Sequence, residues 1–246
     1  MFRWVWAFVD RPLARLEESA DFWTTVTGSS LSPRRGNAME FATLLPVAGD
    51  AHLKLQGVHD GGGAHLDFEV EDIPEAEKTA CGLGAEVVRR EPGLSVLRSP
   101  AGQLFCLVPW EGADSRSPAV TGPDGASSLL DQVCVDIGPA DYENEVAFWA
   151  DLTGWELRST GSSEFRRLVP DASLPVRILL QRLGEDRPAS SHLDFACSDV
   201  AAVRTWHEKH GAQVIDVRTA WTVMRDPVGG IYCLTARDPR TGRRPE

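Results

Sequence analysis

The sequence predicts an α+β fold: four βαβββ units forming two tandem domains with cupped mixed sheets. Three observations carry this. The segment His65-Leu66-Asp67-Phe68 returns 127 residues later as His192-Leu193-Asp194-Phe195. An ordered series keeps that offset: Asp72 with Asp199, Gly84-Ala85 with Gly211-Ala212, Pro100 with Pro227, Gly102 with Gly229, and Cys106-Leu107 with Cys233-Leu234. Upstream, Phe22-Trp23 and Gly28 match Phe148-Trp149 and Gly154 at an offset of 126, so a one-residue indel lies between. A series of this kind marks internal duplication, which has to be found before elements are assigned.

Each half reads in one order. Trp4 to Val9 is an apolar strand, and Asp10-Arg11-Pro12 supplies a helix cap and a first-turn proline. Leu13, Leu16, Ala20, Trp23 and Val26 recur at helical spacing, and Gly28 is a left-handed stop. Short strands follow, and the pattern restarts. His65 to Val70 is a strand, Asp72 caps a helix that ends over Gly82 to Ala85, and Val87-Val88, Leu94 to Arg98 and Leu104 to Val108 are strands between turn signals. The second half repeats this with strand Gln132 to Ile137, helix Tyr142 to Leu152, strand His192 to Cys197 and helix Val200 to Lys209. Strands Val214 to Val217, Trp221 to Arg225 and Ile231 to Thr235 complete it. The expected boundaries are domain 1 over 1–111, a solvated linker over 112–127, domain 2 over 128–238 and a flexible tail over 239–246.

Composition narrows the function classes. The chain has 246 residues, 42% hydrophobic and 25% charged, as in a globular protein of one or two domains. With 25 Lys and Arg against 36 Asp and Glu, a net charge of −11 argues against nucleic acid as a partner. No apolar run reaches transmembrane length and the start lacks signal-peptide features, so no membrane partner and a cytoplasmic address are expected. Five cysteines without a Cys-x-x-Cys pair suggest neither a disulfide framework nor a zinc knuckle.

The motifs Phe-Trp-x4-Gly, His-Leu-Asp-Phe, Gly-Ala and Asp-Pro-x-Gly resemble the vicinal oxygen chelate superfamily. This superfamily comprises glyoxalase-like, bleomycin-resistance-like and extradiol dioxygenase proteins, and the likeness covers nearly the whole chain. The resemblance implies a sheet-lined ligand cleft in each half. It does not imply one reaction, because the superfamily holds isomerases, lyases, dioxygenases, transferases and drug-binding proteins. Metal-using relatives place His, Gln or Glu ligands on the first and last strands of each unit. Those positions fall on Trp6, Lys54, His65 and Cys106 in the first half, and on Gln132, Leu179 or Leu180, His192 and Cys233 in the second. With one histidine per half, and cysteine where the carboxylate belongs, the resemblance implies no metal ion and no other cofactor. A Cys-His-Gln zinc site in the second half stays open.

Alternation on the strands puts His65, Asp67 and Glu69 on one face and Leu66, Phe68 and Val70 on the other, with His192 and Asp194 repeating the choice. An imidazole and a carboxylate two residues apart can share a proton, so His192, Asp194, His65 and Asp67 are the catalytic candidates, a shared structural duty being the alternative. Trp6 and Trp221 stand equally for pocket wall or core. Trp23 and Trp149 are read as core. Lys54 and Gln132 are candidate ligand contacts, as are Cys106 and Cys233, which also read as buried small apolar residues. Gly61-Gly62-Gly63 is a turn, lacking the rest of a phosphate loop. The leading expectation is metal-independent binding of a small, partly aromatic molecule, for sequestration or resistance. The first alternative is a lyase or isomerase using the cleft His and Asp for proton transfer. The second is a metal-dependent enzyme such as a dioxygenase or glyoxalase. The chain is expected as a monomer or homodimer.

Overall fold

The computed structural model describes residues 2–59 and 62–244, so Gly61 of the expected turn lies outside the described residues. The first βαβββ unit is β1 (Phe2–Pro12), α1 (Leu16–Thr27), β2 (Ser30–Leu31), β3 (Phe41–Leu45) and β4 (Leu53–Val58). The second is β5 (Gly63–Val70), α2 (Ile73–Gly82), β6 (Glu86–Glu91), β7 (Leu94–Arg98) and β8 (Leu104–Pro109). After β9 (Val120–Thr121), the third comprises β10 (Ser127–Ile137), α3 (Tyr142–Thr153), β11 (Glu156–Ser159), β12 (Phe165–Val169) and β13 (Arg177–Arg182). The fourth comprises β14 (Ser190–Cys197), α4 (Val200–Lys209), β15 (Gln213–Val217), β16 (Trp221–Arg225) and β17 (Ile231–Ala236).

The expected α+β architecture of four repeated units is therefore present. The first sheet runs β2-β3-β4-β1-β5-β8-β7-β6 and the second β11-β12-β13-β10-β14-β17-β16-β15, with β9 on β10. Both are mixed: β5 pairs β8 and β14 pairs β17 in parallel, while the flanking pairs are antiparallel. Caps follow the sequence. The Asp72 carboxylate accepts from Glu75 N and that of Asp199 from Ala202 N, and Gly28 and Gly154 end α1 and α3 in the left-handed region.

Two local expectations change. Part of the segment read as a solvated linker is structured, since Ser127 and Ser128 pair with Thr121 and Val120, and Ser117 is buried against His52. The helix start expected at Asp10 lies at Leu16 instead, after a short 3-10 turn over Leu13–Arg15. β1 continues through Pro12 because Arg11 is drawn inside. Its guanidinium pairs with Asp226 and donates to the carbonyls of Asp10 and Gly63, and it packs over Gly230, where a side-chain carbon would collide with it.

The chain forms two compact units. One is Met1–Ala7, His65–Asp114 and Val133–Ser191; the other is Phe8–Ala64, Ser115–Gln132 and His192–Glu246. Each therefore joins parts of both sequence halves. In the first, α3 lays Trp149 against Phe105 of β8 at 5.1 Å and Phe68 of β5 at 6.1 Å between ring centroids. In the second, α1 lays Trp23 against Tyr232 of β17 at 5.2 Å and Phe195 of β14 at 5.7 Å. Trp23 and Trp149 are fully buried, as expected of core residues.

Beside each tryptophan sits a buried carboxylate. In the second unit Asp226, on the turn before β17, accepts from Trp23 Nε1 at 3.3 Å, from Val228 N at 3.1 Å and from Gly230 N at 2.8 Å. In the first, Glu145 of α3 accepts from Trp149 Nε1 at 2.7 Å and from Ala101 N at 2.8 Å, and bonds the Ser99 hydroxyl. Ser19 occupies the position on α1 that Glu145 has on α3, and Ser99 the turn position of Asp226. The carboxylate and the hydroxyl have changed places between helix and turn.

Breaking a buried ion pair from one side strands the other charge, so Asp226→Asn is expected to cost about 3–5 kcal/mol in urea unfolding, and a loss below about 1 kcal/mol would count against this account of Arg11. Burial also lowers the pKa of His52 to about 4 and of His207 to about 3, so both are neutral when folded and take up a proton when the chain unfolds below about 6.5. Stability should accordingly drop as pH falls from 6.5 toward 4, by up to about 1.4 kcal/mol per pH unit for each histidine. His52→Gln should flatten that slope, and an unchanged slope would contradict the assignment.

Candidate functional site

Parallel pairing builds the site. In the register of β14 with β17, Asp194 stands opposite Cys233, so a carboxylate and a thiol from segments 39 residues apart become neighbours. His192, two residues before Asp194, points to the same face. Its Nε2 lies 3.3 Å from Asp194 Oδ1, and the donor atoms of His192, Asp194 and Cys233 all fall within 4.8 Å of one another. The first half repeats the arrangement: Asp67 stands opposite Cys106, His65 Nε2 lies 3.5 Å from Asp67 Oδ1, and His65, Asp67 and Cys106 form an equivalent cluster. The Asp67 and Asp194 side chains are 9% and 4% exposed, and the His65 and His192 side chains 13% and 14%.

The second cluster is backed by a polar chain. Gln132 Nε2 donates to Asp194 Oδ2 at 2.7 Å, and the Gln132 carbonyl accepts from Arg237 Nη1. Arg237 also pairs with Asp131 at 2.6 Å and donates from Nε to the Gly242 carbonyl at 3.0 Å. All four side chains are buried. Burial lowers the Arg237 pKa to about 10, with the Asp194 carboxylate opposing the shift, so the guanidinium stays charged at neutral pH. Both polar ends of the Gln132 amide are thus committed, which fixes Asp194 with its second oxygen turned toward His192.

At the positions of Gln132 and Arg237 the first half has Trp6 and Trp110. Trp6 is 9% exposed and donates from Nε1 to Glu69 Oε1 at 2.8 Å, and the other Glu69 oxygen accepts from Glu111 N at 3.3 Å. The Arg3 guanidinium lies 4.2 Å from the Trp110 ring centroid, at the edge of an open groove of about 500 Å3 shared with Phe2 and Trp155. Neither Trp6 nor Trp221 lines that groove. Trp221 opens β16 half-buried, opposite Thr235. Lys54 Nζ lies 5.5 Å from the Phe8 ring centroid.

Of the residues singled out from the sequence, His192, Asp194, Cys233 and Gln132 come together, as do His65, Asp67 and Cys106. Counting donors on first and last strands alone left each half short of a ligand set. In each half an aspartate two residues along the strand from the histidine adds a donor atom that a count of first and last strands leaves out. The cysteines lack a histidine beside them in sequence, but each has one across the sheet. Asp131 and Arg237 were missed. Their signal is two adjacent polar residues inside the apolar run Leu129 to Val135, and an arginine immediately after the last strand.

The profile of the glyoxalase-like domain family matches twice, at residues 6–108 and 132–235. A search of curated proteins finds no match. Among solved structures, the chain is similar to a 4-hydroxymandelate synthase variant from Streptomyces coelicolor, with 14% identity, a TM-score of 0.63, and coverage of 100% of this chain and 95% of that one. It is similar to a 2,2',3-trihydroxybiphenyl 1,2-dioxygenase from Sphingomonas wittichii, with 14% identity, a TM-score of 0.65, and coverage of 96% and 90%. A 2,3-dioxygenase from a Pseudomonas species gives 15% identity, a TM-score of 0.66, and coverage of 94% and 90%. At these identities the structural likeness speaks for the fold. No helix of the described residues is long and apolar enough to cross a membrane. Two profile matches that together span most of the chain, on two sheets of one strand order, make this chain a member of the glyoxalase-like domain family.

Proposed function

We propose that the chain is a metal-dependent enzyme acting on a small, oxygen-bearing molecule, with one divalent ion held by His192, Asp194 and Cys233. The observation that carries this is the gathering of three unlike donor atoms within 4.8 Å of one another. A tetrahedral centre with bonds of roughly 2.0–2.1 Å to nitrogen and oxygen separates those two atoms by roughly 3.3 Å, and His192 Nε2 and Asp194 Oδ1 are 3.3 Å apart. An imidazole, a carboxylate and a thiolate suit borderline ions such as Zn(II), Fe(II) or Co(II), not the hard ions that take oxygen alone. Three protein ligands leave a position open, as catalytic centres require.

The names of the similar structures, dioxygenases and a synthase of hydroxylated aromatic compounds, support a substrate with oxygen atoms available to a Lewis acid. When bound, such an ion polarises a substrate oxygen or acidifies a water. The chain's own residues then have separate tasks. Gln132 holds the far oxygen of Asp194, so the carboxylate presents one oxygen only. Arg237 fixes the amide through its carbonyl, and Asp131 and Gly242 anchor the guanidinium. Gln132 is thereby a positioning residue and not a substrate contact. Metal-independent binding, the leading expectation from the sequence, rested on a donor count that Asp194 raises.

Protein purified without chelators is expected to carry stoichiometric divalent metal, and Cys233→Ser should lose one equivalent by elemental analysis. Equal metal in parent and variant would overturn the assignment. Gln132→Leu keeps all three ligands but frees Asp194, so competition with a chromophoric chelator should show affinity at this site weakened by about 10–100-fold. An unchanged affinity would remove Gln132 from this role.

A further inference from the structure

We propose that the first compact unit docks an extended peptide segment of a partner protein, in the groove beside Trp110 and Trp155, by adding it as a short strand at the start of β1. The chain holds its own example of such docking. In the second unit the stretch 115–121 runs without helix or turn along the equivalent groove. Arg116 forms a parallel bridge with Asp50, Asp50 N donates to the Ser115 carbonyl at 2.7 Å, and Val120 and Thr121 pair antiparallel with Ser128 and Ser127 at the start of β10. Val120 lies so close over Gly28, at the end of α1, that a side-chain carbon there would collide with it. In that groove, lined by Thr27, Ser29 and Pro46, the stretch leaves only about 40 Å3 open.

The first unit repeats the groove without the filling. Thr153 and Trp155 stand for Thr27 and Ser29, Pro170 follows β12 as Pro46 follows β3, and Phe2 at the start of β1 stands for Ser128. Among the described residues, no strand pairs with β1 as β9 pairs with β10, and nothing lies within 4 Å of where a side-chain carbon on Gly154 would sit. The open volume is accordingly about 500 Å3. Backbone pairing of this kind gives affinity, and the groove walls select side chains. Trp110 and Trp155 offer aromatic wall to a proline or a β-branched residue. Asp114, Glu156 and Asp171 line the groove against the guanidinium of Arg3, which already stacks on Trp110, so the incoming segment should also carry positive charge. Glu156 pairs with Arg158 at 2.6 Å, but both side chains are more than half exposed, and such a surface pair is readily exchanged. The segment chemistry that fits is a basic residue followed by proline and a β-branched residue, as in Arg116-Ser117-Pro118-Ala119-Val120.

A capped, fluorescein-labelled peptide Ser-Arg-Ser-Pro-Ala-Val-Thr, the sequence of residues 115–121, titrated into the full-length protein tests this by anisotropy. The chain's own copy holds the second-unit groove at high effective concentration, so the free peptide reaches only the open one. Saturable one-to-one binding is expected, weakened by about 3-fold or more in Glu156→Lys and by about 10-fold in Trp155→Ser. In isotope-labelled protein the indole N–H signals of Trp110 and Trp155 should move on adding peptide while those of Trp23 and Trp149 stay in place. Glu156 is exposed on β11, so Glu156→Lys keeps the test decisive if Trp155→Ser fails to fold. No binding by the parent, or undiminished binding by Glu156→Lys with unmoved Trp110 and Trp155 signals, would overturn the proposal. Self-association of the parent that Glu156→Lys abolishes, without peptide binding, would put a second copy of the chain in the groove and overturn the partner-peptide assignment.

Discussion

Parallel strands set residues from distant segments side by side on one face, and the register of β14 on β17 and of β5 on β8 is the constraint from which both donor clusters follow. Neither cluster exists within any one strand. Asp194 meets Cys233 only because a helix and two antiparallel strands return the chain beside its own starting point. A slip of one residue would turn Cys233 to the opposite face and leave an apolar neighbour against the carboxylate. The buried flanks of both strands, Leu193 and Phe195 on one and Tyr232 and Leu234 on the other, oppose that slip, because it would carry their large side chains out of the core.

The same strands anchor the helices that stabilise them. Trp23 covers Phe195 and Tyr232, and Trp149 covers Phe68 and Phe105, so the outer faces of the site-bearing strands are sealed by indoles. Each such aromatic pair adds about 0.5–1.5 kcal/mol beyond its buried area. The inner face carries the polar groups. The division of labour across the thickness of one sheet lets a strand bury its apolar side chains on one face while gathering histidine, aspartate and cysteine on the other.

Much of this is legible in the residues alone. Duplication at offsets of 126 and 127 exposes the four units, and alternation puts His and Asp on one face of β5 and β14. Trp23 and Trp149 read as core through helical spacing. Legibility ends where tertiary pairing begins. The thiols at Cys106 and Cys233 look inert because their partners are far away in sequence, and no local pattern encodes a parallel register. Arg237 falls at the edge of a segment expected to fray, yet it lies buried and bonded to Gln132 and Asp131. Arg11 misleads for a related reason: Asp-Arg-Pro is a sound helix start locally, and β1 runs past it because Arg11 is drawn in by Asp226 and the carbonyls of Asp10 and Gly63.

The exchange of carboxylate and hydroxyl between helix and turn has a consequence for how such a gene duplication persists. A fragment equal to the first half, assembling with itself, would oppose Ser19 to Ser99 and offer the Trp23 indole no anion; a fragment equal to the second would place Glu145 against Asp226 without Arg11, the cation that the first half supplies to Asp226. Each unlike combination contains one carboxylate and one alcohol. The two copies are thus no longer interchangeable at these two buried turns: one carries its carboxylate on the helix and the other on the turn.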